Sequence, residues 1–298
     1  MPIIDLPPIQ ADFTEDDIRA MNVMRHQLRT SWPKTLYAPE KPDQNWKLIL
    51  PFANTYLNAF ASMCDLNYHP HHPKDRLTIF LNGTEGDEKP PVEVPPWIEM
   101  VGNPVAMKDF LAISFALDYD REGGDPKEPH TEIGNLRALA KPYGVDTATA
   151  RTKKAADKLL GHCVEFLTTM TCYRSADCIV AMPPSDPSKV YNLPKYLAER
   201  IAETMGLENL TKNVRTIALR NSIKGVALGA KFDTLLGTME VDDDVFGKRR
   251  VILIDDLYQS GTSMNYCGLL LREAGAKKTF GLACEKTCRN DDNVSGKM

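Results

Sequence analysis

No apolar run in this chain of 298 residues approaches the roughly 18 residues that a membrane-crossing helix needs, so no membrane partner is expected. The phosphate-binding pattern G-x-x-x-x-G-K-[ST] is missing, and so is the dinucleotide pattern G-x-G-x-x-G. P-loop and dinucleotide-binding chemistry therefore lack their diagnostic loops. The first 105 residues hold one cysteine, Cys64, and no C-x-x-C pair, which leaves that part without the ligands of a zinc knuckle. The seven cysteines are scattered and odd in number, which fits reduced thiols in a cytosol better than a disulfide framework. Asp5, Asp12 and the Pro7-Pro8 pair deny the N-terminus the basic and apolar regions of a signal peptide. A cytoplasmic location is the expectation. Excess charge of one sign is absent as well: the net charge is −4 and the pI is near 5.9, so the whole chain is no general polyanion binder.

What is present reads as a soluble globular protein, with 43% hydrophobic and 26% charged residues. The length suits one large domain or two ordinary ones. Thr14 with Asp17 three residues on resembles a capping box, and Ile18, Met21, Met24 and Leu28 follow at helical spacing. Residues 77–81 predict a strand ending at the Asn82-Gly83 turn, and residues 85–96, with four prolines, a loop or linker. From about residue 109 strands and helices alternate. Strands are expected over 110–117, 178–182, 214–219, 251–254 and 280–284. Helices are expected over 147–170, over 193–205 before Gly206, and after residue 261 along Cys267, Leu270, Leu271 and Ala274 as far as Gly275. This alternation predicts an α/β fold, a mainly parallel sheet with helices on both faces. It occupies residues 106–298, after an N-terminal α+β accessory region over residues 1–105.

Residues 249–266 are the most informative. The apolar run from Val251 to Ile254 ends in the adjacent carboxylates Asp255 and Asp256, and a short loop with Gly261 leads into a helix. A buried strand thus delivers two acids beside a small-residue loop at a helix N-terminus, where backbone N–H groups attract phosphate. The acids are placed to hold vicinal ribose hydroxyls. Helix capping by the acids is the plain structural alternative, and another nucleotide use stays open. Residues 212–250 add eight Lys or Arg against five acids, an excess that suits a phosphorylated ligand but equally an ordinary solvated surface.

This stretch resembles the signature of the type I phosphoribosyltransferases, which bind 5-phosphoribosyl-1-pyrophosphate (PRPP). The resemblance implies that Asp255 and Asp256 bind the ribose, and that Tyr258, Gln259, Ser260, Gly261, Thr262 and Ser263 form the 5′-phosphate loop. Gln259 departs from the family, which usually has a small residue there. Residues from about 110 to 288 are similar to the ComF-like branch. Thr131-Glu-Ile-Gly-Asn-Leu-Arg137 with Lys141 matches its early segment, Pro183-Pro184 and Tyr191-Asn-Leu its proline loop and following motif, and Arg220 to Val241 its basic segment. The branch's zinc knuckle is missing, and its arginine-rich loop reads here Pro-Pro-Ser-Asp-Pro-Ser-Lys after Met182.

The resemblance implies a phosphoribosyl group transferred or hydrolysed with Mg²⁺, pyrophosphate leaving through a cation-like ribosyl transition state. Lys189 and Lys224 are then candidates for pyrophosphate contacts, beside Lys231. A non-catalytic module that senses PRPP or a nucleotide is the second class, with residues 1–105 engaging a protein or nucleic acid. A bacterial conflict-system effector is a specialised variant. A hood over the pocket made by residues 1–105 would speak for catalysis, and a detached lobe for signalling. The fold often forms homodimers. If the acids serve binding alone, Asp256→Asn should weaken binding and leave the melting temperature nearly unchanged.

Other features are weighed as structural. His69, His71 and His72 lie near Cys64, Asp65 and Asp75. Their spacing matches no closed zinc pattern, and an exposed polar turn is expected. Cys284 and Cys288 are expected as buried thiols, and Trp32, Trp46 and Trp97 as core of the N-terminal part.

Overall fold

The structure, a computed structural model, describes residues 13–20, 35–72, 76–141, 148–188, 191–218, 223 and 226–288. Helix α1 (Glu15–Arg19) comes first, then strands β1 (Leu36–Tyr37) and β2 (Lys47–Leu50), helix α2 (Asn54–Met63), strands β3 (Tyr68–His71) and β4 (Leu77–Leu81), and helix α3 (Val94–Gly102). Next are β5 (Val105–Ala106), β6 (Ile113–Tyr119), α4 (Glu132–Ala140), α5 (Ala150–Thr169), β7 (Cys178–Ala181), α6 (Leu193–Met205) and β8 (Glu208–Asn209). The order closes with β9 (Val214–Thr216), α7 (Leu228–Leu235), β10 (Met239–Val241), β11 (Arg250–Tyr258), α8 (Thr262–Glu273) and β12 (Lys278–Lys286).

Six strands form the main sheet in the order β5-β6-β12-β11-β7-β8. All neighbours are parallel except β5, which runs antiparallel to β6. Side chains alternate across a strand, and the two faces bury separate clusters. Ile252, Ile254, Phe280 and Leu282 pack with Leu159 of α5 and Leu197 of α6. Val251, Leu253 and Ala283 pack with Cys267 and Leu271 of α8. The fold is therefore α/β, a mainly parallel sheet with helices on both faces, as the alternation of elements predicts.

The N-terminal part contains a separate antiparallel sheet, β1-β2-β4-β3, and joins the main sheet through α2. There Thr55 Oγ1 accepts from the Ser114 backbone N–H at 3.0 Å and donates to the Met107 carbonyl at 3.1 Å. Trp46 and Trp97 are buried in the core, and Trp32 lies outside the described residues. All seven cysteines are buried and none forms a disulfide, including Cys284 and Cys288.

Several elements differ from expectation, each for a local reason. The capping box at Thr14 forms, with the Asp17 carboxylate accepting the Thr14 N–H at 2.7 Å. The helix it opens ends at Arg19, and Met21, Met24 and Leu28 lie outside the described residues. The proline stretch is not all loop, because α3 starts at Val94 with Pro95 and Pro96 in its first turn. A proline costs nothing there, since first-turn N–H groups have no helical partner. His69 and His71 stand in β3, paired with Phe80 and Thr78 of β4, so they belong to an exposed strand and not to a turn. Strand β6 starts three residues later than expected. The N–H groups of Phe110 and Leu111 go instead to the Asn265 amide oxygen at 2.9 Å and the Asp109 carboxylate at 3.1 Å. Strand β9 leaves the main sheet and pairs antiparallel with β10.

Candidate functional site

Two crossovers diverge at the centre of the sheet. From β7 the chain passes through α6 outward to β8, and from β11 it passes through α8 to β12 on the other side. Neighbouring strands whose connections part in this way leave a crevice at their carboxyl ends, the usual ligand position in open α/β sheets. A cleft of about 300 Å³ lies there, at the small end of ligand-pocket sizes.

Strand β11 is longer than the apolar run suggests. It extends through both acids to Tyr258, paired with β12 as far as Lys286. Its pairing with β7 stops at Ile254 opposite Ala181, where β7 gives way to Pro183 and Pro184. On that side Asp255 and Asp256 are left open to the cleft, and both line it. Strand alternation turns Asp256 to the face of Ile252 and Ile254, and Asp255 to the opposite one.

Asp256 is 2% exposed and is answered by two cations, Arg137 in α4 and Lys141 just after its last residue. Lys141 Nζ lies 2.7 Å from both of its carboxylate oxygens. Arg137 Nη1 is 3.7 Å away, while Arg137 Nε pairs with Glu285 at 2.6 Å. The local sequence explains how the cations arrive. Thr131 caps α4 by accepting the Gly134 N–H at 2.9 Å. Gly134 lets the helix close on the main chain, since a Cβ there would run into the Asp120 carbonyl oxygen. Arg137 and Lys141, four residues apart, then share one face.

Charge is strongly modulated here. Burial, and after it the neighbouring Asp256, push the Asp255 carboxyl up to about 7. Burial pushes Glu285 up to about 8, with Arg137 pulling the other way. Burial opposes the charge on Lys141, but Asp256 and Asp255 outweigh it, so the ammonium holds its proton more firmly than usual. The cleft thus holds two carboxyl groups in unlike environments, Asp256 clamped by cations and Asp255 close to its titration point at neutral pH.

The loop after β11 completes the site. Tyr258, Gln259, Ser260, Gly261 and Ser263 line the same cleft. Thr262, the first residue of α8, is buried behind them with its hydroxyl 3.0 Å from that of Ser260. Gly261 offers no side-chain cap to α8, and the Thr262 N–H reaches the Ser260 hydroxyl at 3.4 Å; the N-terminal end of a helix is the end that attracts anions. Gly261 sits there at φ 80°. Below it, the Tyr258 hydroxyl donates to Asp109 Oδ2 at 3.1 Å, and burial pushes the Asp109 carboxyl up to about 7.

Sequence reasoning therefore brought Asp255, Asp256 and the 258–263 loop to one place. Lys189 and Lys224 lie outside the described residues. Of the basic segment, Arg215 is bound to Glu240 and Asp242, Arg249 to Glu208 and Arg250 to Asp177, and Lys231 is fully buried. These cations hold the fold, and none of them lines the cleft. Two participants were not singled out from sequence as site residues. Lys141 carried a usable signal in its spacing from Arg137. Asp109, distant in sequence from the motif, carried none.

No group of three His, Cys, Asp or Glu able to hold a metal occurs among the described residues, and both oxygens of Asp256 go to Lys141. No helix is long and apolar enough to cross a membrane, among the described residues. No described residue before Lys141 lines the cleft. The N-terminal part is thus neither a hood over the cleft nor a detached lobe, among the described residues, because α2 is bonded into the β6 segment.

No family model matches the chain, and no curated protein matches it. Among solved structures it is similar to phosphoribosylpyrophosphate synthetase from Mycobacterium smegmatis, at 14% identity and a TM-score of 0.29, over 81% of this chain and 80% of that one. So slight a likeness carries no argument, and the reading of the site rests on its own geometry.

Proposed function

We propose that the protein is an enzyme of the phosphoribosyltransferase type, of the ComF-like branch without its zinc knuckle, which holds a 5-phosphoribosyl group and passes it from the leaving substituent at C1 to an acceptor or to water. One observation carries this reading. Asp255 and Asp256 share a single cleft, at the switch point of a parallel sheet, with the N-terminus of α8. A ribose with its 5′-phosphate spans such a pair of features. The Gly261 loop takes the phosphate through backbone N–H groups, and the acids take the ribose hydroxyls.

The chain's contribution to the step is positioning and charge. A cation-like ribosyl transition state gains from fixed carboxylates beside the developing charge. Asp256, held by Lys141 and Arg137, is oriented for that role. Asp255 can hold or release a proton near neutral pH. Mg²⁺, which keeps several waters and favours phosphate oxygens, would enter on the ligand's phosphates and neutralise a leaving pyrophosphate.

A non-catalytic sensing module is the second reading, favoured by the bonding of α2 to the segment that braces the loop. Asn54 Nδ2 donates to the Asp109 carbonyl at 2.5 Å, and the Asp109 carboxylate meets Tyr258. Ligand-induced shifts in the loop would thus reach the N-terminal part. The deciding experiment is release of ribose 5-phosphate or pyrophosphate from PRPP with Mg²⁺ and from nucleotides, by the wild type and by the Asp255→Asn, Asp256→Asn double variant. Turnover lost in the double variant establishes the enzyme. Binding without turnover by the wild type, with a panel of bases supplied as acceptors as well as with water alone, speaks for the module.

A further inference from the structure

Four charged side chains follow one another at the carboxyl end of the sheet, in the order Lys141, Asp256, Arg137 and Glu285. Lys141 and Asp256 line the cleft, and Arg137 and Glu285 do not. The second pair lies deep, with 12% of the Arg137 side chain exposed and 1% of the Glu285 side chain. Arg137 Nε stands 2.6 Å from Glu285 Oε1, whereas Arg137 Nη1 stops 3.7 Å from Asp256 Oδ2. The longer distance is that of an ion pair without a hydrogen bond. A guanidinium is a rigid plane, so its hold on Glu285 sets how closely its other edge approaches Asp256.

Glu285 is a costly residue for the end of β12. Its second oxygen, Oε2, is buried and has no hydrogen-bond partner among the described residues, a penalty that an apolar side chain would avoid. Arg137 of α4 favours its charge, and Asp120 beyond β6 and Asp256 of β11 oppose it. Asp118 of β6 is its partner in register, and Lys286, next along β12, turns its ammonium to the Thr287 carbonyl at 2.7 Å. As a carboxylate, Glu285 outcompetes Asp256 for the guanidinium. With a proton on Glu285 that attraction weakens, and a shift of about 1 Å would bring Arg137 into hydrogen-bond range of Asp256. Asp256 would then divide its oxygens between two cations, with fewer acceptor sites left for ribose hydroxyls. Lys141 is the yielding member of the clamp, since 46% of its side chain is exposed, whereas Arg137, closed on Asp256 from beneath, would not give way to a ligand.

We infer that Glu285 is a positioning residue for Asp256 that acts through Arg137: its carboxylate holds the guanidinium back and keeps Asp256 open to the ribose, and its protonation releases the guanidinium onto Asp256. This inference rests on the phosphoribosyl reading of the site, and the test separates the two.

Ribose 5-phosphate is titrated calorimetrically into the full chain at about pH 6.5 and about pH 9.5, on either side of the Glu285 carboxyl, which burial pushes up to about 8. Wild type, Glu285→Gln, Arg137→Met and the double variant are compared. Lys141, which holds its proton more firmly than usual, stays charged throughout. At the higher pH Glu285→Gln should bind at least fivefold more weakly than wild type. At the lower pH the two should agree within twofold, because wild-type Glu285 is then neutral as well. In the Arg137→Met background the Glu285 substitution should change affinity by less than twofold at both values, since the cycle removes whatever passes through Arg137. An equal loss at both pH values, a loss that persists without Arg137, or no loss at all would overturn the inference and leave the phosphoribosyl site standing. Glu285→Ala carries the same comparison should Glu285→Gln not fold. Failure of ribose 5-phosphate to bind wild type at millimolar concentration would overturn both.

Discussion

The hydroxyl of Tyr258 occupies the space where a side chain on residue 261 would begin. A Cβ added to Gly261 collides with the Tyr258 hydroxyl and ring and closes to 3.1 Å on the Asn265 amide. The backbone there is left-handed, at φ 80°. Tyr258 is held from behind by Asp109, and Asn265 donates to the Gly261 carbonyl at 2.8 Å. The turn that presents the α8 N-terminus is therefore built from beneath by buried side chains, and glycine is the one residue it accommodates.

Gly261→Ala should accordingly damage both fold and site. A non-glycine residue held in a left-handed turn costs about 1–3 kcal/mol, and the collision adds to that because the Tyr258 ring is packed in the core. The melting temperature should drop by several degrees, at about 2–4 °C per kcal/mol for a chain of this size class. Ribose 5-phosphate affinity should fall more than tenfold at a temperature where the variant is still folded. Unchanged affinity in a folded variant would remove the loop from the site.

Asp256→Asn, expected from sequence to spare the fold, should now cost stability as well as binding. The carboxylate is 2% exposed and balances Lys141 and part of Arg137. Removing one member of a buried pair leaves an uncompensated charge, worth about 3–5 kcal/mol where both partners are deeply buried. Lys141 keeps 46% of its side chain exposed and can turn to water, so a loss of about 1–2 kcal/mol is expected. Urea unfolding of the two proteins measures it, and equal midpoints would show that the clamp contributes nothing to the fold.

Stability should fall as the pH rises from about 4 to about 7, and Asp109 should account for part of the slope. Burial pushes its carboxyl up to about 7 in the fold, whereas the unfolded chain releases that proton near pH 4. Between those values the folded state binds more protons than the unfolded one, so raising the pH favours unfolding. Asp255 and Glu285, pushed up to about 7 and about 8 by burial, act with the same sign. Asp109→Asn stays neutral throughout and should flatten the curve, by at most roughly 4 kcal/mol between the two ends. Unfolding midpoints at about pH 4.5, 6 and 7.5 decide it, and parallel curves for the two proteins would exclude Asp109.

How much of this the sequence carried depends on the range of the interactions. The acids and the loop were legible because strand, turn and helix lie within twenty residues and their residue types dictate the local geometry. The helix from Leu193 was legible at both ends, since Asn192 caps it and Gly206 takes the left-handed position that closes it. The start of β6 was not, because the side chain of Asn265, far along the chain, takes the Phe110 N–H. Helix α3 was hidden by its prolines, which read as a linker unless they fall in a first turn. The excess of cations over residues 212–250, which suits an ordinary solvated surface as well as a ligand, belongs to the surface at Arg215, Arg249 and Arg250. Arg215 and Arg249 find carboxylates at strand ends, and composition contains no information about which acid a cation will meet.

That placement makes its own prediction. Arg215→Gln and Arg249→Gln remove surface ion pairs and should change stability by less than about 1 kcal/mol each. Neither residue lines the cleft, so ribose 5-phosphate and nucleotide affinities should stay within twofold of wild type. A tenfold loss in either variant would mean that the basic segment reaches the ligand after all.

Lys141→Met tests whether the clamp on Asp256 serves the ligand or the fold. Methionine keeps much of the length and apolar stem of lysine and removes the charge, so packing along α4 is retained. Asp256 is then left with Arg137 at 3.7 Å, a cation already engaged with Glu285. A buried carboxylate with a weaker partner is costly. The variant should therefore be less stable than wild type, by about 1–2 kcal/mol. Anionic ligands should lose more than they would from a purely structural defect, since the cleft surrenders the one cation among its described lining residues. The diagnostic comparison is ribose 5-phosphate against ribose under identical conditions. A tenfold loss confined to the phosphorylated sugar places Lys141 in the binding of charge, whereas an equal loss for both makes it a support for Asp256.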